Sequence, residues 1–138
     1  MQLIIESDPV AVRQGLARIL ASDVIATLQA GARETAEIVL AEVLNNIVEH
    51  AYAGQAGSIV VSLHHNRHGV LVQVRDYGAP FPCQEVPKGD LPLLEACRDL
   101  PEGGFGWYMI RSLVRDLTYQ REDGCNHLSF CLSYNEPP

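Results

Sequence analysis

Apolar positions along the chain follow two rhythms, one of helical and one of strand period. Residues 3–5 form an apolar run long enough only for an edge strand. Asp8 followed by Pro9 then reads as an N-cap with proline in the first helical position, and Val10, Leu16, Ile19 and Leu20 continue at helical spacing. Gly31 interrupts that pattern. A second, stronger helix is predicted over 32–53, where Ile38, Leu40, Val43, Leu44, Ile47, Val48 and Ala51 make a broad apolar face until Gly54 and Gly57 end it. From Ser58 the period drops to two: Ile59, Val61 and Leu63 alternate with Val60, Ser62 and His64, a turn follows at 66–69, and alternation resumes at Val70. In that second strand Val70, Val72, Val74 and Asp76 share one face, so a carboxylate ends a row of core valines.

Between positions 78 and 104 the chain carries five of its eight prolines (Pro80, Pro82, Pro87, Pro92 and Pro101) and little sustained periodicity. Irregular connections this long inside a compact domain are uncommon and usually functional, so 79–103 reads as a lid over a site. After it comes GGFGWYMIRSLVRDL, a glycine turn opening an apolar helix, then a strand-like LTYQR, a turn at Asp123 and Gly124, and the alternating Leu128, Phe130, Leu132 and Tyr134. The last residues, NEPP, are expected to fray. The order helix, helix, hairpin, lid, helix, hairpin predicts an α+β fold: a two-layer sandwich with helices on one face of a mixed, largely antiparallel sheet.

Composition narrows the functional classes. With 138 residues the expectation is one domain, and 47% hydrophobic against 20% charged residues is the balance of a soluble globular protein. Ten Lys and Arg against seventeen Asp and Glu give a formal charge of −7, which supplies no counterion-release drive toward nucleic acid and is repelled by an anionic membrane. No apolar run approaches the roughly 20 residues of a membrane span, and MQLIIESD lacks the basic start of a signal peptide. A cytoplasmic protein is expected. Cys83, Cys97, Cys125 and Cys131 include no C-x-x-C pair and read as reduced thiols. His64, His65 and His68 lie across a strand end and turn, where neighbours point apart, and read as a solvated turn rather than a metal cluster.

Three segments carry candidate chemistry. On the long helix, Glu42 and Asn46 are four residues apart and share a face, with Asn45, Glu49 and His50 close by. A carboxylate and an amide so placed suit a general base beside a hard-cation ligand, although a solvated helix face is the simpler reading. In VRDYGAPF, Asp76 on the inward face puts an acceptor at the floor of a pocket, and Gly78 and Pro80 turn the chain sharply away. A carboxylate satisfied by neighbouring backbone is the alternative. In GGFGWYMI, Gly103, Gly104 and Gly106 open a helix whose exposed N–H groups and dipole favour phosphate. Each motif alone is weak.

In this order, separated by the proline-rich segment, they resemble the GHKL ATPase superfamily, and within it the small bacterial anti-sigma factor serine/threonine kinases. The likeness runs from the first helix to the last strand. It implies the family's ATP-binding fold, with ATP and Mg2+ as ligands. Glu42 then matches the family's general base for the attacking hydroxyl, Asn46 the magnesium-binding asparagine, and Asp76 the aspartate that accepts from the adenine amino group. Gly78 matches the glycine beside the base, and Gly104 and Gly106 the glycines whose backbone lines the triphosphate. The resemblance further implies a serine or threonine acceptor on an anti-anti-sigma (STAS-domain) protein, a sigma factor or other regulatory protein as the alternative partner, and relatives that often form homodimers. A complete histidine kinase, with its dimerisation helices, is the weaker expectation for 138 residues.

Where some relatives carry a basic residue before the glycine turn, this chain has Glu102. Lys88, Arg98 or Arg111 are candidates to supply the missing charge, with ordinary surface charge as the simpler reading. Glu102 also motivates an alternative function: a non-catalytic module that uses nucleotide to choose between protein partners. Trp107 is expected in the core beneath the turn, His50 as a structural histidine, and Tyr52 as the residue that closes the long helix.

Overall fold

The computed structural model describes residues 1–81 and 103–135. Most of the expected lid, with Lys88, Arg98, Glu102, Cys83 and Cys97, lies outside the described residues, as do the last three positions. The elements are β1 (Gln2–Glu6), α1 (Pro9–Leu20), α2 (Asp23–Ala26), α3 (Ala30–Asn46) running into a π-helical turn (Ile47–Ala51), β2 (Ser58–Asn66), β3 (Gly69–Asp76), α4 (Gly103–Leu113), β4 (Arg115–Glu122) and β5 (Cys125–Ser133).

The five strands form one sheet in the order β1-β2-β3-β5-β4, with all four ladders antiparallel. Local chemistry sets its connections. Asn66 Oδ1 accepts from the backbone N–H of His68 at 2.8 Å and of Gly69 at 2.9 Å, closing the β2–β3 turn. At the β4–β5 turn, Asp123 and Gly124 take φ of 52° and 75°, the left-handed pair that a tight two-residue hairpin requires. The outer ends of β2 and its turn leave His64, His65 and His68 exposed, as expected.

The helices cover one face. Val70, Val72 and Val74 are buried in β3 while Gln73 is exposed, and these valines join Leu128, Phe130 and Leu132 of β5 in a single core with Val39, Leu40, Val43 and Leu44 of α3. Each such buried side chain contributes about 1.5–3 kcal/mol. The result is the expected α+β sandwich. Asp8 caps α1 by accepting from Ala11 N at 2.9 Å, with Pro9 in the first turn. Ser22 caps the additional short helix α2.

Three local expectations are corrected. Gly31 does not interrupt: α3 begins at Ala30, and a glycine in a first turn, where N–H groups lack helical partners anyway, costs little. The long helix does not stay regular to residue 53. It widens at Ile47, where Tyr52 N–H reaches back to the Ile47 carbonyl at 3.0 Å, a five-residue span. The glycines before Trp107 form no separate turn, since Gly103, Gly104 and Gly106 all lie within α4. Trp107 is buried, with Phe81 edge-on at a ring distance of 5.2 Å. Cys125 and Cys131 are free buried thiols.

Candidate functional site

Asp76 is the last residue of β3, and the ladder sets Ile59 on one side of it and Asn126 on the other. Strand alternation carries its side chain onto the core face, where it is only 3% exposed. Oδ1 accepts from Gly78 N at 2.9 Å and from Asn126 Nδ2 at 2.8 Å. Among the described residues no hydrogen bond reaches Oδ2. Burial pushes the Asp76 carboxyl up, and the Asn126 amide, the Gly78 N–H and the Arg121 guanidinium pull it partly back.

The backbone beyond Asp76 is held from two sides. A Cβ on Gly78 would lie 2.4 Å from the Ala51 carbonyl oxygen, and the same oxygen accepts from Ala79 N at 2.7 Å. Close approach, not a left-handed φ, therefore demands glycine there. The Tyr52 hydroxyl accepts from Tyr77 N at 2.8 Å and donates to the Ser58 carbonyl at 2.6 Å. Tyr52 thus does more than close the helix: it ties the π turn to the start of β2 and the end of β3. Burial raises its phenol against these bonds.

Glu42 and Asn46 stand one helical turn apart on α3. Asn46 is buried, and its Nδ2 donates to the Glu42 carbonyl at 2.8 Å. That bond consumes an amide proton and leaves Oδ1 with no partner among the described residues. Helix α4 crosses close by. A Cβ on Gly106 would sit 2.6 Å from Glu42 Oε2 and 3.6 Å from Asn46 Nδ2, so the absent side chain makes room for the carboxylate. Gly103 and Gly104 occupy the first turn of α4, whose N–H groups lack helical partners.

The structure therefore brings Glu42, Asn46 and Gly106 into one cluster, and Asp76 and Gly78 into another joined to it by the π turn. Asn45, Glu49 and His50 are exposed. His50 is not the structural histidine expected; its Nε2 lies 3.9 Å from Glu49 Oε2 at the surface. Arg111 lies in the last turn of α4, and at 1.5 Å per residue this is roughly 12 Å along the axis from Gly103.

Three residues at the site escaped the sequence reading. Asn126 bonds Asp76, Tyr119 donates its hydroxyl to Asn126 Oδ1, and Arg121 Nη1 donates to Asn126 Oδ1 at 3.0 Å and to the Gly78 carbonyl at 2.6 Å. A signal existed: Asn126 has the parity of Leu128, Phe130 and Leu132, so it interrupts an inward row as Asp76 does.

The donor set fits one kind of metal. Among the described residues there is no group of three His, Cys, Asp or Glu able to hold an ion unaided. A lone amide oxygen beside a carboxylate suits a hard cation that takes its other ligands from water and phosphate, the habit of magnesium.

Helices thus cover one face of an antiparallel sheet, with a buried carboxylate at a strand end and a glutamate–asparagine pair facing a glycine-bearing helix start. The chain belongs to the histidine kinase-like ATPase domain family, whose model matches residues 5–132. It is 38% identical over 90 residues to the serine/threonine-protein kinase BtrW of Bordetella bronchiseptica, covering 64% of this chain and 61% of that protein. It is 32% identical over 95 residues to the serine-protein kinase RsbW of Bacillus thuringiensis, covering 66% of this chain and 58% of the relative. The RsbW of Bacillus anthracis matches to the same extent. The matched segments thus span about three fifths of these curated relatives. Among the described residues, no helix is long and apolar enough to cross a membrane.

Proposed function

We propose that this chain is an ATP-binding, anti-sigma-factor-like protein serine/threonine kinase that phosphorylates an anti-anti-sigma (STAS-domain) partner in a partner-switching circuit. The observation that carries this reading is the Glu42–Asn46 pair set against Gly106, with the buried Asp76 at the end of β3.

Asp76 Oδ2 accepts from the exocyclic amine of adenine, while Gly78 lets the chain pass close beside the base. The first-turn N–H groups of α4, at Gly104 and Gly106, face the phosphates. Asn46 Oδ1 would hold Mg2+, which would supply neutralisation of the phosphate charge. Glu42 takes the proton of the acceptor hydroxyl as that oxygen bonds to the γ-phosphorus. The bond from phosphorus to the bridging oxygen breaks, and ADP leaves with the electron pair.

On this reading the chain works in the cytoplasm and alternates between the acceptor protein and a sigma factor or other regulatory protein, with a homodimer as a compatible assembly. It needs neither nucleic acid nor membrane. The names of the kinase relatives and the acidic surface support these assignments. The test is radiolabelled transfer from ATP to the cognate acceptor. Signal with the parent chain that disappears in Glu42→Ala, with nucleotide binding retained, supports the kinase. Tight Mg-ATP binding without transfer to any candidate acceptor favours the nucleotide-switched binding module instead.

A further inference from the structure

All hydrogen-bonding positions of the Asn126 side chain are engaged. Nδ2 donates to Asp76 Oδ1 and to the Ala79 carbonyl, each at 2.8 Å, and Oδ1 accepts from Tyr119 and Arg121. The direction of this network is determined. Phe81 N–H, which only donates, reaches the Tyr119 oxygen at 3.2 Å, so the phenol proton points on to Asn126. A guanidinium also only donates, so Asn126 must present its oxygen to Arg121 and its amide to Asp76. A flipped amide would set donor against donor and acceptor against carboxylate. The chain of donors ends at Asp76 Oδ1, which the Gly78 N–H fills from the other side.

We propose that Asn126 is a positioning residue that sets the purine preference of the site, by filling Asp76 Oδ1 and fastening Ala79 so that one fixed carboxylate oxygen remains for an amino-bearing base. Asn126 does not contact the nucleotide; it acts through Asp76 and through the strand exit at 78–79. A six-amino purine offers a donor to that oxygen, whereas a six-oxo purine would set acceptor against acceptor. This inference rests on the nucleotide-binding reading above.

The experiment is calorimetric titration of the full chain with Mg-ATP and with Mg-ITP, whose base carries an oxygen in place of the amine. The parent chain should prefer ATP by about tenfold or more, the scale of a hydrogen bond to a charged group. Asn126→Ala should cut that preference by about fivefold, through weaker ATP binding with ITP little changed. Tyr119→Phe, which keeps the ring stacked on Phe81 at 4.3 Å but loses the donor to Asn126, should move the ratio the same way by about twofold. It carries the test if circular dichroism shows Asn126→Ala unfolded. Equal losses for ATP and ITP, or a ratio unchanged in a folded variant, would overturn the proposal and leave nucleotide binding standing. No uptake of either nucleotide by the parent chain would overturn the nucleotide site itself, and this inference with it.

Discussion

The two ends of the site are built on opposite principles. At the Asp76 end the polar groups are buried and paired with one another: Asn126 is 2% exposed and makes four bonds, and Asp76 Oδ1 takes two. At the Glu42 end one internal bond, from Asn46 to the Glu42 carbonyl, orients the pair, and Glu42 is half-buried with its carboxylate against Gly106. A site for a neutral ring gains by being complete beforehand, because an adjustable hydrogen-bonding floor forfeits both affinity and selectivity. A site for a charged, metal-bound tail needs acceptors left open, because the ligand supplies their partners. On the proposed function, substitutions at the first end act on affinity and those at the second on transfer.

Glu42→Gln gives the largest expected effect and the hardest test of that division. Phosphoryl transfer should fall by about 10²- to 10⁴-fold, the scale of a general base, with ATP affinity nearly unchanged. A matching loss of affinity would erase the contrast.

Asp76→Asn tests the other end and should weaken ATP binding by about 10- to 100-fold. Stability should move differently. Burial raises the folded-state pKa of Asp76, so the folded chain holds that proton more tightly than the unfolded chain, and the ionised carboxylate is a cost at neutral pH. Its contribution improves as pH falls through the raised folded pKa toward the ordinary value. In Asp76→Asn that cost is gone, so the melting temperature at pH 7 should not fall, and its rise on acidification should be smaller than in the parent. Scanning calorimetry across pH checks both.

Gly106→Ala should sharpen the comparison. Its Cβ would push Glu42 Oε2 aside, reducing transfer by about tenfold in a steady-state assay, yet alanine in a helix stabilises by about 0.5–1 kcal/mol over glycine. Activity and melting temperature should therefore move in opposite directions. Tyr52→Phe, which leaves Tyr77 N–H and the Ser58 carbonyl without their partner, should cost about 1–2 kcal/mol of stability, a shift of several degrees, with little change in transfer.

Much of this was legible in the chain. Period-two alternation located Asp76 on the buried face, and the four-residue spacing joined Glu42 to Asn46. The fold class followed from the order of periods. Asn126 was missed because its role depends on the register between β3 and β5, a non-local pairing that neither strand's own pattern states. Arg121 and Tyr119 sit on β4, whose weak burial pattern reads locally as a surface strand. The π turn was missed for a related reason: Ile47, Val48 and Ala51 look equally apolar on a regular helix, and only the approach of Ala79 to the Ala51 carbonyl shows why the wider turn matters.

That wider turn makes local winding a functional variable. Rewinding all five residues of 47–51 as a regular helix would rotate everything after them by roughly 90°, swinging the Ala51 oxygen out of reach of Gly78 and Ala79. Most side chains of the core would be untouched, and the domain could still melt cooperatively. The loss would appear as a base-end floor no longer anchored to the helix that bears Glu42 and Asn46. Substitutions in this stretch that favour a regular turn should therefore be felt at the strand exit of 78–79 before they are felt in the core.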